Sequence, residues 1–425
     1  MTRQLLMILA ALSLATPTLA LGAAVEEPAP TPMSTTGGTL AVRGALLYTG
    51  QGAPIADGGV LVQDGRITQV GPFASLELPA GVEVLQAAVV TPGLIDARAT
   101  AGLTGMLNIP HDQDMLDRTT AVQPELRALD AYNPQDELVA WLRSLGITTL
   151  HTGFAPGPPL SGQTMIVKTT GATSDVAALV PAAAVAVTLS PPKGFGGAEE
   201  LFTTRAKTVA VLRQDLIRAR EYRDKLVAAG SDRKATAPDR DLHLETLARV
   251  LDRELALLVT AHRVRDIAGA LRLQREFNLR LWLDGAAEAH QLLPELKAAG
   301  IPVLLHPTMA RATGELENAA YSTAGLLQAA GVPFAFTSGY ESYVPKVRVV
   351  LFEAAIAVGH GLDRQAALDA LTIGAARVLG IDSRVGSLEK GKDGDLALYD
   401  GDPFEYTTHC VGTVIEGRVV SDIVR

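Results

Sequence analysis

The middle of the chain alternates short apolar segments with amphipathic helical segments, and this alternation constrains the fold more than any other feature. Helical segments, several of them ending in glycine, separate the apolar ones. The apolar segments are predicted strands at residues 91–97, 147–151, 164–167, 183–189, 257–261, 279–283, 302–305 and 332–337. Strands that alternate with helices predict an α/β fold. About eight such units favour a TIM-like (β/α)8 barrel, with a doubly wound open sheet as the alternative.

Both ends of the chain are predicted to be β-structure. An Asp-Gly pair at 64–65 and a Glu-Gly pair at 416–417 each lie between strand-like runs, which is typical of a tight hairpin. Neither end is long enough to be a stable sheet domain alone, because strands need a shared face to bury. We therefore expect residues 39–92 and 384–425 to form one small β-sandwich, with the barrel inserted between them at residues 93–383.

The first residues have the order of features found in secretory signal peptides. Arg3 precedes an apolar run at residues 5–14, Pro17 interrupts it, and small residues follow. We predict that residues 1–24 are a signal peptide, with an uncleaved anchor as the alternative, and that the Pro/Thr-rich residues 25–38 are a disordered leader. The expected location is secreted or periplasmic.

Composition narrows the classes of partner. Lys and Arg number 37 against 46 Asp and Glu, so the net charge of −9 disfavours a nucleic-acid partner. Cys410 is the one cysteine, which excludes a zinc site made of cysteines and an intrachain disulfide. After signal cleavage we expect no membrane partner. The expected partner is a small-molecule ligand or substrate, and a homo-oligomer is compatible with the sequence.

Polar residues that directly follow predicted strands are the candidate site, because reacting groups in α/β barrels lie where strands end and loops begin. Histidine at such positions can carry protons near neutral pH or bind a metal. For each histidine, a structural hydrogen-bonding role is the alternative. The residues at these ends are Arg98, Thr100, His151, His262, Asp284, His306, Ser338 and Glu341.

Three stretches resemble the amidohydrolase superfamily, most closely its imidazolonepropionase-like branch with a urease-like composite β domain. They are residues 58–71 (GGVLVQDGRITQVG), 90–97 (VTPGLIDA) and 375–402 (AARVLGIDSRVGSLEKGKDGDLALYDGD). The resemblance covers nearly all of residues 40–425. It implies an α/β barrel, a β-sandwich made from both termini, and metal-assisted hydrolysis of amides, ureas and related C–N compounds, with some lactones and dipeptides.

The sequence departs from the ligand set that this resemblance implies. After P-G-L-I-D the family has x-H-x-H, and Arg98 and Thr100 stand at the two histidine positions. A guanidinium has no lone pair to give a cation. His262 alone matches a family ligand, and the last-strand aspartate falls near Gly339, with Glu341 the nearest carboxylate. Catalytic zinc sites use about three protein ligands. We therefore predict no metal ligands and no zinc or other divalent cofactor.

Three functions remain open. The first is hydrolysis of carbon–nitrogen bonds other than peptide bonds at a degenerate, metal-free site. In that case His262 or His151 would be the general base and Arg98 would stabilise an oxyanion. The second is a non-catalytic ligand-binding pseudoenzyme, and the third is a scaffold subunit of an active paralogue.

Two further expectations concern the mouth of the barrel. Arg98 is expected to pair with Asp96 or Asp284 and so supply the positive charge of a metal. The long polar segment at residues 103–137 follows the first barrel strand, and we expect it to cover the mouth as a lid. Packing against a neighbouring subunit is the alternative for that segment.

Overall fold

The computed structural model describes residues 38–106, 109–189, 204–231, 236–306, 309, 312–340 and 349–425. These residues belong to one structural unit, Ser34–Arg425, and within them every helix is too short or too polar to span a bilayer. The strands are β1 (Leu40–Leu47), β2 (Ile55–Gln63), β3 (Arg66–Pro72), β4 (Val84–Pro92), β5 (Leu94–Ala99), β6 (Ile147–Gly153), β7 (Leu160–Lys168), β8 (Ala178–Thr188), β9 (Ala256–Ala261), β10 (Leu281–Gly285), β11 (Val303–Leu305), β12 (Phe334–Phe336), β13 (Leu396–Tyr399), β14 (Cys410–Ile415) and β15 (Arg418–Ser421).

Helices occupy most of the connections between the barrel strands. Three of them end at a left-handed glycine, Gly300, Gly331 or Gly380, as the sequence predicts. The helices are α1 (Ala128–Ala131), α2 (Glu137–Arg143), α3 (Ser174–Ala177), α4 (Arg205–Ser231), α5 (Leu242–Leu251), α6 (Val264–Phe277), α7 (Leu293–Ala299), α8 (Thr323–Ala330), α9 (Val350–Gly359), α10 (Arg364–Leu371) and α11 (Ile373–Leu379).

A seven-stranded sheet is built from both ends of the chain, in the order β15-β14-β13-β4-β1-β2-β3. Its two halves meet where β13 pairs antiparallel with β4, with Leu396 opposite Pro92. The turns at 64–65 and 416–417 have positive φ at both residues, which the type I′ hairpin requires. The predicted β-structure from both chain ends is therefore confirmed.

An eight-stranded sheet forms the barrel, in the order β12-β11-β10-β9-β8-β7-β6-β5. The backbone N–H of Gly339, just beyond β12, donates to the carbonyl of Arg98 at 3.0 Å and brings the two edges together. The predicted TIM-like barrel is confirmed, and the open sheet is not observed. One strand differs from the all-parallel pattern, because β7 is antiparallel to both β6 and β8. The connection at 154–159 is too short for the crossover that parallel strands need.

The barrel interior is filled mainly by small and branched side chains. The buried cluster inside the barrel includes Ala256 and Leu258 of β9 and Trp282 of β10. Leu257 and Leu283 point outward and belong to a second buried cluster, which also contains residues of the outer helices. Because successive strand residues point to opposite faces, Thr260 and Asp284 continue the inward-facing rows of β9 and β10 at the ends of those strands. The sequence thus places polar groups in the mouth above an apolar interior.

A buried ion cluster joins the barrel to the seven-stranded sheet. Lys168, the last residue of β7, lies 3.0 Å from an Asp393 carboxylate oxygen and also contacts Asp395. Arg66 and Arg384 bind Asp393 from the sheet side. Despite their burial, these contacts raise the pKa of Lys168 and lower that of Asp393. The aspartates of the G-K-D-x-D-L stretch therefore hold the two parts of the fold together.

Candidate functional site

Arg98 lies at the centre of the candidate site and is only 3% exposed. Its Nη1 donates to the carbonyls of Ala99 at 3.0 Å and Gly153 at 3.4 Å, and its Nη2 donates to the carbonyl of Phe154. These bonds tie the end of β5 to the connection between β6 and β7. At least three of the five guanidinium N–H groups therefore bond to the protein backbone.

Two buried carboxylates accompany this guanidinium. Asp96 of β5 accepts hydrogen bonds from the backbone N–H groups of Ser338 at 3.0 Å and Arg98 at 3.2 Å. Asp284 of β10 accepts a hydrogen bond from the Thr260 hydroxyl at 2.6 Å. Burial raises the pKa of Asp96 to about 7 and raises that of Asp284, whereas the charge of Arg98 acts in the opposite direction on both.

His151 lies inside the barrel, below the mouth. Its Nδ1 lies 2.7 Å from the carbonyl of Ala97, its Nε2 lies 2.7 Å from the Thr164 hydroxyl, and its ring meets Trp282 edge to face. Burial, and secondarily the charge of Arg98, lowers its pKa to about 3. The ring is therefore neutral at neutral pH, with both nitrogens used in hydrogen bonds.

His262 lies at the rim, immediately after β9, and is partly exposed. Its ring packs on Gly285, where an added Cβ would lie 2.2 Å from its Cε1 atom. Burial lowers its pKa to about 4, although the charge of Glu315 opposes this. His262 is the sequence-predicted histidine whose position and neutral state suit proton transfer at the mouth.

A network of ion pairs surrounds His262 on the rim. Arg263 binds Glu288 at 3.1 Å and Glu317 at 2.9 Å, and Arg205 binds Glu315 at 2.5 Å. Sequence reasoning missed this network, as it missed the Thr260 hydroxyl on Asp284. The inward-facing row of β9 could have identified Thr260, whereas the ion pairs join segments distant in sequence and left no local pattern.

The remaining predicted residues fall into two groups. Thr100, His306 and Ser338 are buried at strand ends near the mouth, as expected. The backbone N–H of His306 donates to the carbonyl of Gly285 at 2.9 Å, so β11 is joined to β10 beside His262. Glu341 lies outside the described residues.

The segment at residues 103–137 lies along the β6–β7 edge of the mouth. Backbone bonds join Ala155 to Met115 at 2.8 Å and Gln163 to Leu126 at 2.7 Å. Burial raises the pKa of the Tyr340 phenol, beyond β12, and Arg118 of this segment lies close enough to oppose that rise. The segment thus reaches from β7 to the far side of β5.

The described residues do not fit a divalent metal at the mouth. Across these ranges, no three His, Cys, Asp or Glu side chains are grouped as metal ligands. The two positions where the family resemblance implies histidines hold Arg98 and Thr100. A guanidinium donates hydrogen bonds only and repels a cation. No chemical step is therefore assigned to a metal.

Comparisons with known proteins agree with this architecture. A sequence model of the amidohydrolase family matches residues 258–421. The amidohydrolase tasK of Hapsidospora irregularis is 24% identical over 433 residues, covering 90% of this chain and 43% of the relative, so the chain spans less than half of that protein. An amidohydrolase structure from Thermotoga maritima superposes with a TM-score of 0.82 at 25% identity, covering 90% of this chain and all (100%) of that one.

More distant structures share the fold alone. A putative prolidase from Bifidobacterium longum has a TM-score of 0.56 at 19% identity, covering 91% of this chain and 95% of that one. An adenosine deaminase from Xanthomonas campestris with bound zinc has a TM-score of 0.54 at 18% identity, covering 90% and 92%.

Proposed function

The chain belongs to the amidohydrolase superfamily, and on this premise we propose that it is a metal-independent member that binds a small molecule at the barrel mouth without hydrolysing it. The observation that supports this proposal is the state of Arg98. Its guanidinium is buried and bonded to backbone carbonyls, so it is not presented to a substrate as an oxyanion donor.

The arrangement of the histidines supports the same proposal. A remodelled hydrolase needs a base within hydrogen-bond reach of the attacking water. His151 uses both ring nitrogens inside the barrel, which removes it from that role. Of the groups that the sequence suggests as general base and oxyanion donor, His151 and Arg98 are therefore both engaged in structural hydrogen bonds.

His262 favours one second candidate function, the hydrolysis of carbon–nitrogen bonds other than peptide bonds in cyclic or linear amides. The residue is neutral and partly exposed at the rim. However, a base with a pKa of about 4 accepts a proton weakly at neutral pH. We rank this function below ligand binding for that reason.

The test combines metal content, turnover and binding on one preparation. We would measure metals by elemental mass spectrometry after dialysis, and amine release from a panel of cyclic amides, linear amides and ureas. Binding of the same panel would be measured by thermal shift. We expect well under one metal equivalent, no turnover, and stabilisation by at least one compound.

Each other result has a defined meaning. Stoichiometric metal would overturn the proposal. Turnover that is lost in a His262→Ala variant but kept in an Arg249→Ala control, which changes an exposed arginine, would establish the second candidate. Absence of both turnover and binding would overturn both and leave the scaffold function.

We also propose that the chain is exported, on the strength of Arg3 and the apolar run that follows it. A Leu9→Arg variant places a charge in that run. We expect cell fractionation to find the unaltered chain outside the cytoplasm, shortened at its N-terminus, and the variant inside at full length. Equal distribution of the two would refute export.

A further inference from the structure

Three charged side chains are buried together in the mouth of the barrel. Asp96 and Arg98 come from β5, and Asp284 comes from β10, which is three strands away around the barrel. The exposed fractions are 0%, 3% and 6% in that order. Buried charges persist in proteins only when they are paired and hydrogen-bonded. Burial raises the pKa of both carboxyl groups, so they need a nearby cation in order to stay ionised.

Arg98 meets that requirement electrostatically. The charges of Asp284 and Asp96 both favour the cationic form of Arg98, against its burial. Arginine stays protonated in proteins at neutral pH. Among the described residues neither carboxylate forms an ion pair with Arg98, so the direct pairing expected from the sequence is not observed. The one positive charge acts on both carboxylates at longer range.

We propose that Arg98 is the resident cation of the barrel mouth, and that a chain lacking this side chain would bind a guanidinium ion in its place. This inference deepens the proposed function, because it assigns to a side chain of this protein the position that the family resemblance gives to a metal. It rests on the proposed metal independence of the site.

The surroundings select a planar guanidinium rather than a divalent metal. The carbonyls of Ala99, Gly153 and Phe154 receive its N–H groups from the side of the β6–β7 connection. A planar fork of donors satisfies several acceptors at once, whereas an ammonium is a compact point charge. Catalytic zinc sites use about three protein ligands, and the described residues contain no group of three His, Cys, Asp or Glu side chains that could hold a metal.

The experiment is chemical rescue of an Arg98→Gly variant. Melting temperature would be measured with millimolar guanidinium chloride, with the same concentration of sodium chloride, and with urea, which is a neutral molecule of similar shape. An Arg43→Gly variant is the matched control, because Arg43 forms an exposed ion pair with Asp57. We expect guanidinium to raise the melting temperature of Arg98→Gly alone, with saturation, and urea to have no such effect.

The opposite results are equally clear. Equal responses to guanidinium and sodium, or stabilisation by a divalent metal without stabilisation by guanidinium, would overturn the proposal. If Arg98→Gly does not fold, an Arg98→Met variant and an Arg98→Met/Asp284→Asn variant decide. If folded protein accumulates for the charge-balanced double variant but not for Arg98→Met, the result supports a resident cation. If neither variant accumulates as folded protein, the proposal is refuted.

Failure of this inference is distinguishable from failure of the proposed function. Stoichiometric metal in the unaltered protein overturns the proposed function. Absence of guanidinium rescue in a protein shown to be metal-free overturns only the role of Arg98.

Discussion

Replacing Lys168 with methionine should weaken the junction between the barrel and the seven-stranded sheet. Methionine keeps the approximate length of the side chain and removes the charge. In the variant, Asp393 still contacts Arg66 and Arg384. The contact that is described for Asp395 besides Lys168 is a hydrogen bond from the backbone N–H of Glu416, at 3.0 Å. The variant therefore buries a carboxylate without its cation, which costs about 3–5 kcal/mol of unfolding free energy.

This cost can be converted to a melting temperature. Globular proteins gain about 2.1 cal/mol/K of unfolding entropy per residue, so a cooperative unit of the size of Ser34–Arg425 should lose about 4–6 °C. Urea denaturation followed by both fluorescence and circular dichroism would measure the free energy and test whether the two transitions coincide. A Lys168→Met/Asp395→Asn double variant removes the unpaired charge and should recover part of the loss.

The exposed pair of Arg43 and Asp57 provides the control, because an Arg43→Met variant loses an ion pair that water already screens. We expect little change there. A Lys168→Met variant that is within about 1 kcal/mol of the unaltered chain would refute the reasoning, since that is the range of a surface pair. So would a double variant less stable than the single one.

Three other predictions concern the mouth and its surroundings. Burial raises the pKa of Asp96 to about 7, far above about 3.9 in an unfolded chain, so its contribution to stability is full below about pH 4 and is lost as the pH rises to about 7. An Asp96→Asn variant should lack this slope when urea midpoints are compared at pH 4, 5.5 and 8, and an unchanged slope would contradict the assignment. A His151→Ala variant should lose about 2–4 kcal/mol of unfolding free energy, which calorimetry would measure. The change removes the ring hydrogen bonds to the Ala97 carbonyl and the Thr164 hydroxyl and opens a cavity beside Trp282. A Gly285→Ala variant should lose more unfolding free energy in urea than a Gly300→Ala variant. Both glycines have positive φ, so alanine costs about 1 kcal/mol at either position, but only at Gly285 would the added Cβ clash with the His262 ring. Equal losses would show that the ring moves freely.

The arrangement of strands was largely predictable, because an apolar run of five or six residues between helices has few other uses in an α/β chain. The direction of β7 was not. The predicted strands at 147–151 and 164–167 leave twelve residues between them, but the observed strands are longer and leave room only for a turn, which makes β7 antiparallel to β6. Strand ends are the least certain part of a sequence-based assignment, and here they decided the direction of a strand.

The same uncertainty affects the site. His151 was predicted to end its strand and so to lie at the mouth, but β6 continues to Gly153, which moves the imidazole one layer into the interior. His262 was correctly placed beyond β9, because β9 ends where its apolar run ends. The partners of Arg98 could not be predicted, since they are backbone carbonyls brought near by the β6–β7 turn and carry no sequence pattern.

The pairing of β4 with β13 has a consequence for the growing chain. About 300 residues separate these two strands, and a ribosome adds about 5–20 residues per second, so β4 waits roughly 15–60 s for its partner. Through that interval the edge at Val89–Pro92 has unpaired backbone groups, the kind of surface that recruits other chains. Strand β13 follows the whole barrel in the chain, and its arrival ends this period of exposure to aggregation.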